Sequence, residues 1–386
     1  PIGARLALYW GCLNLGSRSA SGRRTVKIIK NTAAPWLETF PPGAFAMVMA
    51  TGSVSIAARL LGYPAIGWVL LGINAVVYPV LWIITLWRLV RHPRAVRADL
   101  PDHQRGPGFL TLVAATAVLG SQCAAYDVSP TLVLWLLGAS LVLWLALIYA
   151  FLTAMTINLR KPSLQTGLDG TWLLLVVATE ACAIQAIAVA GKAADPLPFA
   201  HLALGLWLLG GLLYLMLITL IFYRWCFVPM TAHDLTEPWW ITMGAMAIAA
   251  LAGSRLLLLA QTTALFAHDL RPVLFAVTTA FWAMATFWIP QLAILFVAKH
   301  GVARDPIRYS VAEWSMVFPI GMYTAATYVY AVAAPVAYLE IVPRIAILIA
   351  FAAWGLAAVG AVRAVTRALG TEAARAQEGA KSHRSR

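Results

Sequence analysis

Ten long apolar segments constrain this chain more than any other feature of its sequence. Each has roughly 20 residues or more, the length that an α-helix needs to cross the hydrocarbon core of a bilayer. They are residues 40–61, 64–90, 107–127, 129–157, 170–190, 199–223, 239–260, 272–298, 310–333 and 341–366. Segments of alternating polarity, which a membrane β-barrel requires, do not occur. The sequence therefore predicts an all-α integral membrane protein with ten transmembrane helices.

The scarcity of charge leads to the same class. Asp, Glu, Lys and Arg make up 11% of the chain, whereas about 25% is usual in a soluble domain. Hydrophobic residues make up 61%, and disordered chains are poor in such residues. A soluble globular enzyme and a disordered protein are both excluded.

The basic residues predict how the helices are oriented. Of the 28 Lys and Arg residues, 23 lie in the N-terminal segment, in the connections that follow even-numbered helices, or in the C-terminal tail. Because cytoplasmic connections are enriched in Lys and Arg, we expect both termini in the cytoplasm of a cell with this protein in its plasma (inner) membrane. The outer connections are short, so the helices should pair as five antiparallel hairpins.

The chain divides into three predicted regions. Residues 1–30 should be a poorly ordered basic N-terminal segment, and residues 31–366 the ten-helix transmembrane domain. Residues 367–386 are small, polar and basic, so we expect a disordered cytoplasmic tail.

An internal repeat links the odd-numbered helices. The pattern W-x-x-x-F-P-x-G-x-[FY] begins at Trp36 and again at Trp314, and P-G-x6-A-T begins at Pro42 and again at Pro107. The fifth helix has a weaker version, and the seventh keeps only its aromatic start. Repeated helices that point the same way can surround a pore, although small-residue faces are also ordinary packing surfaces.

At the residues FPPGAFAMVMATG (40–52) and WSMVFPIGMYTAAT (314–327), the chain resembles the tellurite-resistance/dicarboxylate transporter family. This family includes bacterial TehA channels, plant slow anion channels, and fungal malate and sulfite permeases, and the similarity covers roughly residues 30–366. It implies a homotrimer in which each protomer has a central pore lined by its five odd-numbered helices. It also implies small anions as substrates: chloride, nitrate, sulfite, tellurite-related anions or C4-dicarboxylates such as malate. The family kinks pore helices at mid-membrane prolines, whereas only Pro319 is clearly internal here.

The resemblance assigns a gate to Phe318, with Phe40 as its counterpart in the first helix. An ordinary packed aromatic remains the alternative at both positions. The residues that we expect to line the pore are Phe45, Thr51, Phe109, Thr116, Trp172, Thr179, Pro319, Gly321 and Thr327. The threonine hydroxyls would either meet a passing anion or bond back to their own helices.

Glu180 is the one acidic residue well inside a predicted span. A carboxyl group at that depth should be functional, paired or protonated, so it could carry a proton or form an ion pair with Arg255. Arg255 and Arg344 could instead attract anions at the outer mouth, or extend to the interface. The runner-up function is therefore a proton-coupled C4-dicarboxylate carrier that uses Glu180.

Other chemistry finds little support in the sequence. The four cysteines lack CxxC spacing, and the seven histidines form no HExxH motif or cluster, so no metal or cofactor is implied. An intramembrane enzyme would need a converging set of acids, bases or metal ligands. The expected partners are small anions, the lipid bilayer and two further copies of the chain, with no nucleic acid.

Overall fold

A computed structural model describes residues 35–262, 270–306, 309–334 and 336–384, with side chains described as far as residue 367. Ten long helices occur in these ranges. They are α1 (Ala46–Leu60), α2 (Pro64–Arg91), α3 (Leu110–Ala125), α4 (Pro130–Ile157), α5 (Leu174–Ala190), α6 (Leu197–Phe227), α7 (Ile241–Thr262), α8 (Leu270–Val297), α9 (Trp314–Ala333) and α10 (Ile341–Arg384). Short helices cover Pro35–Thr39, Pro93–Asp99 and Leu164–Gly167.

The all-helical prediction is confirmed. No strand occurs in the described ranges, and each of the ten helices there is long and apolar enough to cross a membrane. The predicted N-terminal segment, residues 1–30, lies outside the described residues. At the other end, α10 continues to Arg384, through most of the segment where the sequence predicts a disordered tail. The tail is rich in Ala, Glu, Gln, Arg and Lys, which are strong helix formers, and this explains the continuation.

Burial divides the ten helices into two sets. In α1, α3, α5, α7 and α9, 78–89% of the most apolar window is buried, against 17–39% in the even-numbered helices. We call the first set the inner helices and the second the outer helices. Small residues dominate the inner set, as in the AMVMATGSVSIAA run of α1, because small side chains let helix backbones approach closely. Leu, Val and Trp on the outer set remain exposed, as lipid contact requires.

The inner helices form a closed ring. Along the chain each inner helix packs against the next one, and α9 returns to pack against α1. Each outer helix packs on the inner helix that precedes it. The repeat in the sequence therefore corresponds to a ring of five similar elements.

A short 3-10 helical turn precedes every inner helix. These turns are Pro42–Phe45, Gly106–Phe109, Gly170–Leu173, Glu237–Trp240 and Val311–Glu313, and they also contact one another in a closed circuit. Glycine allows the closest approaches: a Cβ at Gly108 would lie 2.9 Å from the backbone nitrogen of Gly43, and one at Gly170 would lie 2.0 Å from the carbonyl oxygen of Pro238. Neighbouring turns are therefore in close backbone contact around the end of the ring at which the inner helices begin.

The prolines fit this arrangement. Pro42, Pro107 and Pro238 occupy the first two positions of their turns, where the missing N–H costs no helical hydrogen bond. Pro319 is inside α9, as the sequence predicts. Two further internal prolines, Pro79 and Pro290, are in outer helices.

Candidate functional site

A repeated hydrogen bond ties each outer helix to the next inner helix around the ring. In four of the five repeats an aromatic side chain on the outer helix bonds to a threonine hydroxyl, and in the fifth Trp207 donates to a backbone carbonyl. The pairs are Tyr78–Thr116 (2.9 Å), Trp144–Thr179 (2.9 Å), Trp207–Ala249 O (2.9 Å), Trp282–Thr327 (3.1 Å) and Trp354–Thr51 (3.0 Å). We call these five contacts the ring clasps.

The clasps show the hydrogen-bond partners of the threonines that the sequence analysis expects to line a pore. The hydroxyls of Thr51, Thr116, Thr179 and Thr327 are turned towards outer helices, and all four residues are buried. Thr116 and Thr179 also donate to carbonyl groups four residues earlier. A buried hydroxyl requires partners, and the indole and phenol groups of the outer helices supply them.

The clasps also identify the inner side of each helix. An α-helix turns by about 100° per residue, so a residue nine positions from a clasp threonine lies about 180° around the helix. Phe318 is nine residues before Thr327, and it is 2% exposed. It therefore projects from the side of α9 that faces away from the outer helices.

A contact between the neighbouring helices α1 and α9 lies at the same position. Ser53 lies two residues after Thr51, about 200° around α1, and its hydroxyl donates to the carbonyl oxygen of Phe318 at 3.3 Å. Sequence reasoning missed Ser53, although its spacing from Thr51 could have indicated it. Ser121 is a second inner-side hydroxyl that it missed; this residue is buried, and its oxygen has no hydrogen-bond partner within the described part of the chain.

Phe40 occupies a different environment from Phe318. It precedes the turn that leads into α1, whereas Phe318 is one turn inside α9, because α9 begins earlier relative to the shared motif. The carbonyl of Phe40 accepts from Arg105 at 3.2 Å, and its ring lies edge-on to Trp36 at 6.5 Å. The two phenylalanines are therefore equivalent in the motif and not in the fold.

Three other aromatic residues predicted to line a pore are in or beside the turns. Phe45 packs edge-on against Tyr78 and Trp82 of α2, at 6.1 and 5.6 Å between ring centroids. Trp172 packs against Phe151 of α4 at 5.3 Å and donates to the carbonyl of Gly167. Both rings therefore contact outer helices. Phe109 is buried at the end of the turn before α3.

Pro319 and Gly321 are contact points between inner helices. A Cβ at Gly244 of α7 would lie 2.7 Å from Cγ of Pro319, and a Cβ at Gly321 would lie 2.6 Å from the hydroxyl oxygen of Ser53. Glycine at these two positions lets α9 approach both of its neighbours in the ring.

Glu180 is fully buried on α5, but it does not pair with Arg255. Neither carboxylate oxygen has a hydrogen-bond partner among the described residues, and no ion pair joins Glu180 to any cation there. A Cβ at Gly210 would lie 2.3 Å from Oε1 of Glu180, so the carboxyl group lies against α6. Glu180 therefore lies against an outer helix, and the ion pair with Arg255 that the sequence suggested is not formed.

This geometry can be compared with known proteins. Residues 39–362 match the family described as voltage-dependent anion channel, SLAC1, and this range includes the whole ring. The chain belongs to the voltage-dependent anion channel family. The resemblance found in the sequence is thereby confirmed.

Two relatives of this voltage-dependent anion channel family member show how far the similarity extends along the chain. An uncharacterized membrane protein of Mycobacterium tuberculosis is 32% identical over 158 residues, which are 41% of this chain and 79% of that protein. An uncharacterized transporter of Methanocaldococcus jannaschii is 22% identical over 312 residues, covering 76% of this chain and 85% of that protein.

In this family member an ionic cluster fixes the segment before the first inner helix. Arg88, near the end of α2, donates to Asp99 at 2.6 Å and to the carbonyl of Glu38 at 2.9 Å. Arg105 bonds to the same carboxylate at 2.7 Å and also reaches the carbonyl of Phe40. Because Arg88 and Asp99 are both buried, removal of either one would leave an uncompensated buried charge and destabilise this end of the ring.

Proposed function

We propose that the protein is an anion channel or channel-like transporter, and that small anions pass along the axis of the inner ring. Candidate substrates are chloride, nitrate, sulfite, tellurite-related anions and C4-dicarboxylates. The observation that carries this proposal is a closed ring of five buried helices in a member of an anion-channel family. An anion crossing a bilayer needs a path shielded from lipid, and the axis of such a ring supplies one.

In this proposal Phe318 closes the path. Its ring projects from the inner side of α9 and is almost completely buried. The neighbouring inner-side positions of α9, one, two and three turns further along, are Met322, Ala325 and Val329, and all three are buried. An apolar constriction of this kind stops ions because they cannot keep their water there.

The same proposal includes the membrane arrangement. Lys and Arg cluster at the end of the ring where the inner helices begin, which supports a cytoplasmic position for that end and for both termini in the plasma membrane. The trimer rests on the family resemblance alone.

Flux measurements test the proposed function. Purified protein in liposomes should pass chloride, sulfite or malate down a gradient, and flux without a pH gradient supports a channel. Protein-free liposomes and liposomes with Phe318→Ala give the lower and upper limits of flux. If the intact protein and Phe318→Ala both pass no anion of this set, the proposed function is wrong.

One observation favours the second candidate, a proton-coupled dicarboxylate carrier. Glu180 is a fully buried acid whose oxygens have no hydrogen-bond partner in the described residues, and a membrane-embedded acid without a partner is a common proton site. In this case malate flux would require a pH gradient, and Glu180→Gln would remove that requirement. The position of Glu180 against α6 means that the proton path would run beside the ring axis.

A further inference from the structure

Arg255 is a cation on an inner helix that lacks an acidic partner. The buried cations Arg88, Arg224 and Lys299 each have a carboxylate within 4.0 Å, namely Asp99, Asp234 and Glu237. For Arg255 no ion pair or hydrogen bond is found in the described ranges, and its guanidinium Nε is both buried and unpartnered. A guanidinium removed from water without a compensating anion is energetically costly.

The position of Arg255 on α7 directs it towards the ring interior. Gly253 marks the outer side of α7, because a Cβ there would lie 2.2 Å from the hydroxyl oxygen of Thr278 on α8 and 2.8 Å from Trp207 on α6. Arg255 follows two residues later, about 200° around the helix. Its side chain therefore starts from the side of α7 that faces away from the outer helices.

Burial decreases towards the end of the ring where the inner helices finish. Residues two positions after the clasp residues, at the middle of the ring, are buried: Ser53, Val118, Ala181 and Leu251. Residues nine positions after the clasp residues, near the C-terminal ends of the same four helices, are partly exposed: Leu60, Ala125, Ala188 and Leu258.

Arg255 lies between these two levels of α7. It precedes Gln261, which bonds to the carbonyl of Ala333 on α9 at 3.5 Å, by six residues or about 9 Å along the helix axis. It is partly exposed, whereas Ser254 and Leu256 on either side are buried. Arg255 therefore lies in the half of the ring where burial decreases, with its Nε buried and another part of its side chain exposed.

We propose that Arg255 is an anion-binding residue that holds the permeating anion in the half of the ring where the inner helices finish, before it meets Phe318. This inference rests on the proposed function and adds a substrate preference to it. A guanidinium presents a planar set of donors that matches a carboxylate or an oxyanion in two-point fashion. The site therefore selects carboxylates and oxyanions such as malate and sulfite over chloride. A single guanidinium with no further fixed cation binds weakly enough to release the anion.

Substitution of Arg255 tests the inference. In liposomes we expect Arg255→Gln to lower the sulfite-to-chloride and malate-to-chloride flux ratios about tenfold, the effect of losing one charge-assisted contact. Arg255→Lys keeps the charge and loses the planar donors, so it should retain chloride flux and lose most of the preference. Lys192→Gln is the control, because Lys192 is exposed and pairs with Asp127; its flux ratios should equal those of the parent.

Charge restoration separates a binding role from a structural one. Arg255→Cys can be treated with a thiol reagent that adds an ammonium group or with one that adds a sulfonate group. The ammonium reagent should restore oxyanion flux and the sulfonate reagent should suppress it further, while the parent treated in the same way controls for the native cysteines. If Arg255→Gln keeps the parent flux ratios, or if both reagents act alike, the inference is wrong and the proposed function stands. If neither the parent nor Phe318→Ala passes any anion of the set, the proposed function has failed and the inference fails with it.

Discussion

The hydroxyl of Ser53 on α1 donates to the carbonyl oxygen of Phe318 on α9 at 3.3 Å, 265 residues away along the chain. This bond holds the backbone of the proposed gate against its neighbour in the ring. Pro319 follows directly, and its missing N–H removes one hydrogen bond from the α9 ladder. The aromatic side chain is therefore carried by a backbone that is bonded to the neighbouring helix α1 next to a position where α9 lacks one of its own hydrogen bonds.

Phe318→Ala should raise anion flux at least tenfold, because it removes the largest side chain from the inner side of α9. Flux into liposomes, or single-channel current in a planar bilayer, measures the change. Phe45→Ala is the matched control. Phe45 packs against Tyr78 and Trp82 on the outer side, so its loss should lower the free energy of unfolding by about 3–5 kcal/mol without raising flux. Unchanged flux in a folded Phe318→Ala protein would contradict the gate.

The ring clasps should contribute to stability in similar amounts. Trp354→Phe removes the N–H that Thr51 accepts at 3.0 Å, and we expect a loss of about 0.5–1 kcal/mol in the free energy of unfolding. Thr51→Val should cost a similar amount, and the double variant should cost less than the sum, because the two residues share one hydrogen bond. Thermal unfolding of the detergent-solubilised variants measures the coupling. Additive losses would mean that the bond contributes nothing.

The clasps also show what sequence could and could not predict. Helix number, span limits and the repeat were readable because hydrophobic length and residue spacing are local properties. The sequence could not predict which way the threonine side chains point, because a Thr among small residues is equally suited to a pore lumen and to a helix interface. Only the outer-helix donors, such as Trp354, which is 303 residues from Thr51, decide between them.

The two candidate charged residues illustrate the same limit. Sequence identified Glu180 and Arg255 because charges are rare inside spans. It could not tell that Glu180 faces Gly210 of an outer helix while Arg255 starts from the inner side, since both answers depend on how the helices are rotated in the ring. Rotation is set by contacts between helices that are distant in sequence.

Gly210→Ala should destabilise the protein by about 1–3 kcal/mol, because the new methyl group would lie 2.3 Å from Oε1 of the fully buried Glu180 and an overfilled core strains its neighbours. Gly205→Ala, on the same helix with no atom within 4 Å of the added Cβ, is the control and should be neutral or stabilising. In Glu180→Ala protein, Gly210→Ala should cost much less. A loss of equal size in both backgrounds would show that Glu180 does not occupy the space beside Gly210.

Asp169→Asn should change how stability depends on pH. Asp169 precedes the turn that leads into α5, and its Oδ1 accepts from the backbone N–H of Thr171 at 2.9 Å. Burial raises the pKa of this carboxyl group above its ordinary value, although the Thr171 hydrogen bonds and Arg224 act in the opposite direction. A folded-state pKa above the unfolded one means that folding disfavours the ionised form, so the protein gains stability as the pH falls through the folded-state pKa. Asparagine keeps the acceptor and cannot ionise, so the variant should be the more stable protein at pH 7 and lose this advantage towards pH 4.

Asp127→Asn should change the pH dependence of stability in the opposite direction. Its exposed carboxylate is hydrogen-bonded to Lys192, and this bond together with the Lys192 charge lowers the pKa of Asp127 below its ordinary value. Stability from this pair is present above the unfolded-state pKa of about 4 and is lost as the pH falls through the folded-state value. Asp127→Asn should therefore be slightly less stable than the parent at pH 7, and the difference should disappear in acid. Thermal unfolding of the parent and both variants between pH 7 and pH 4 measures the two slopes, and slopes of the same sign would contradict the burial of Asp169.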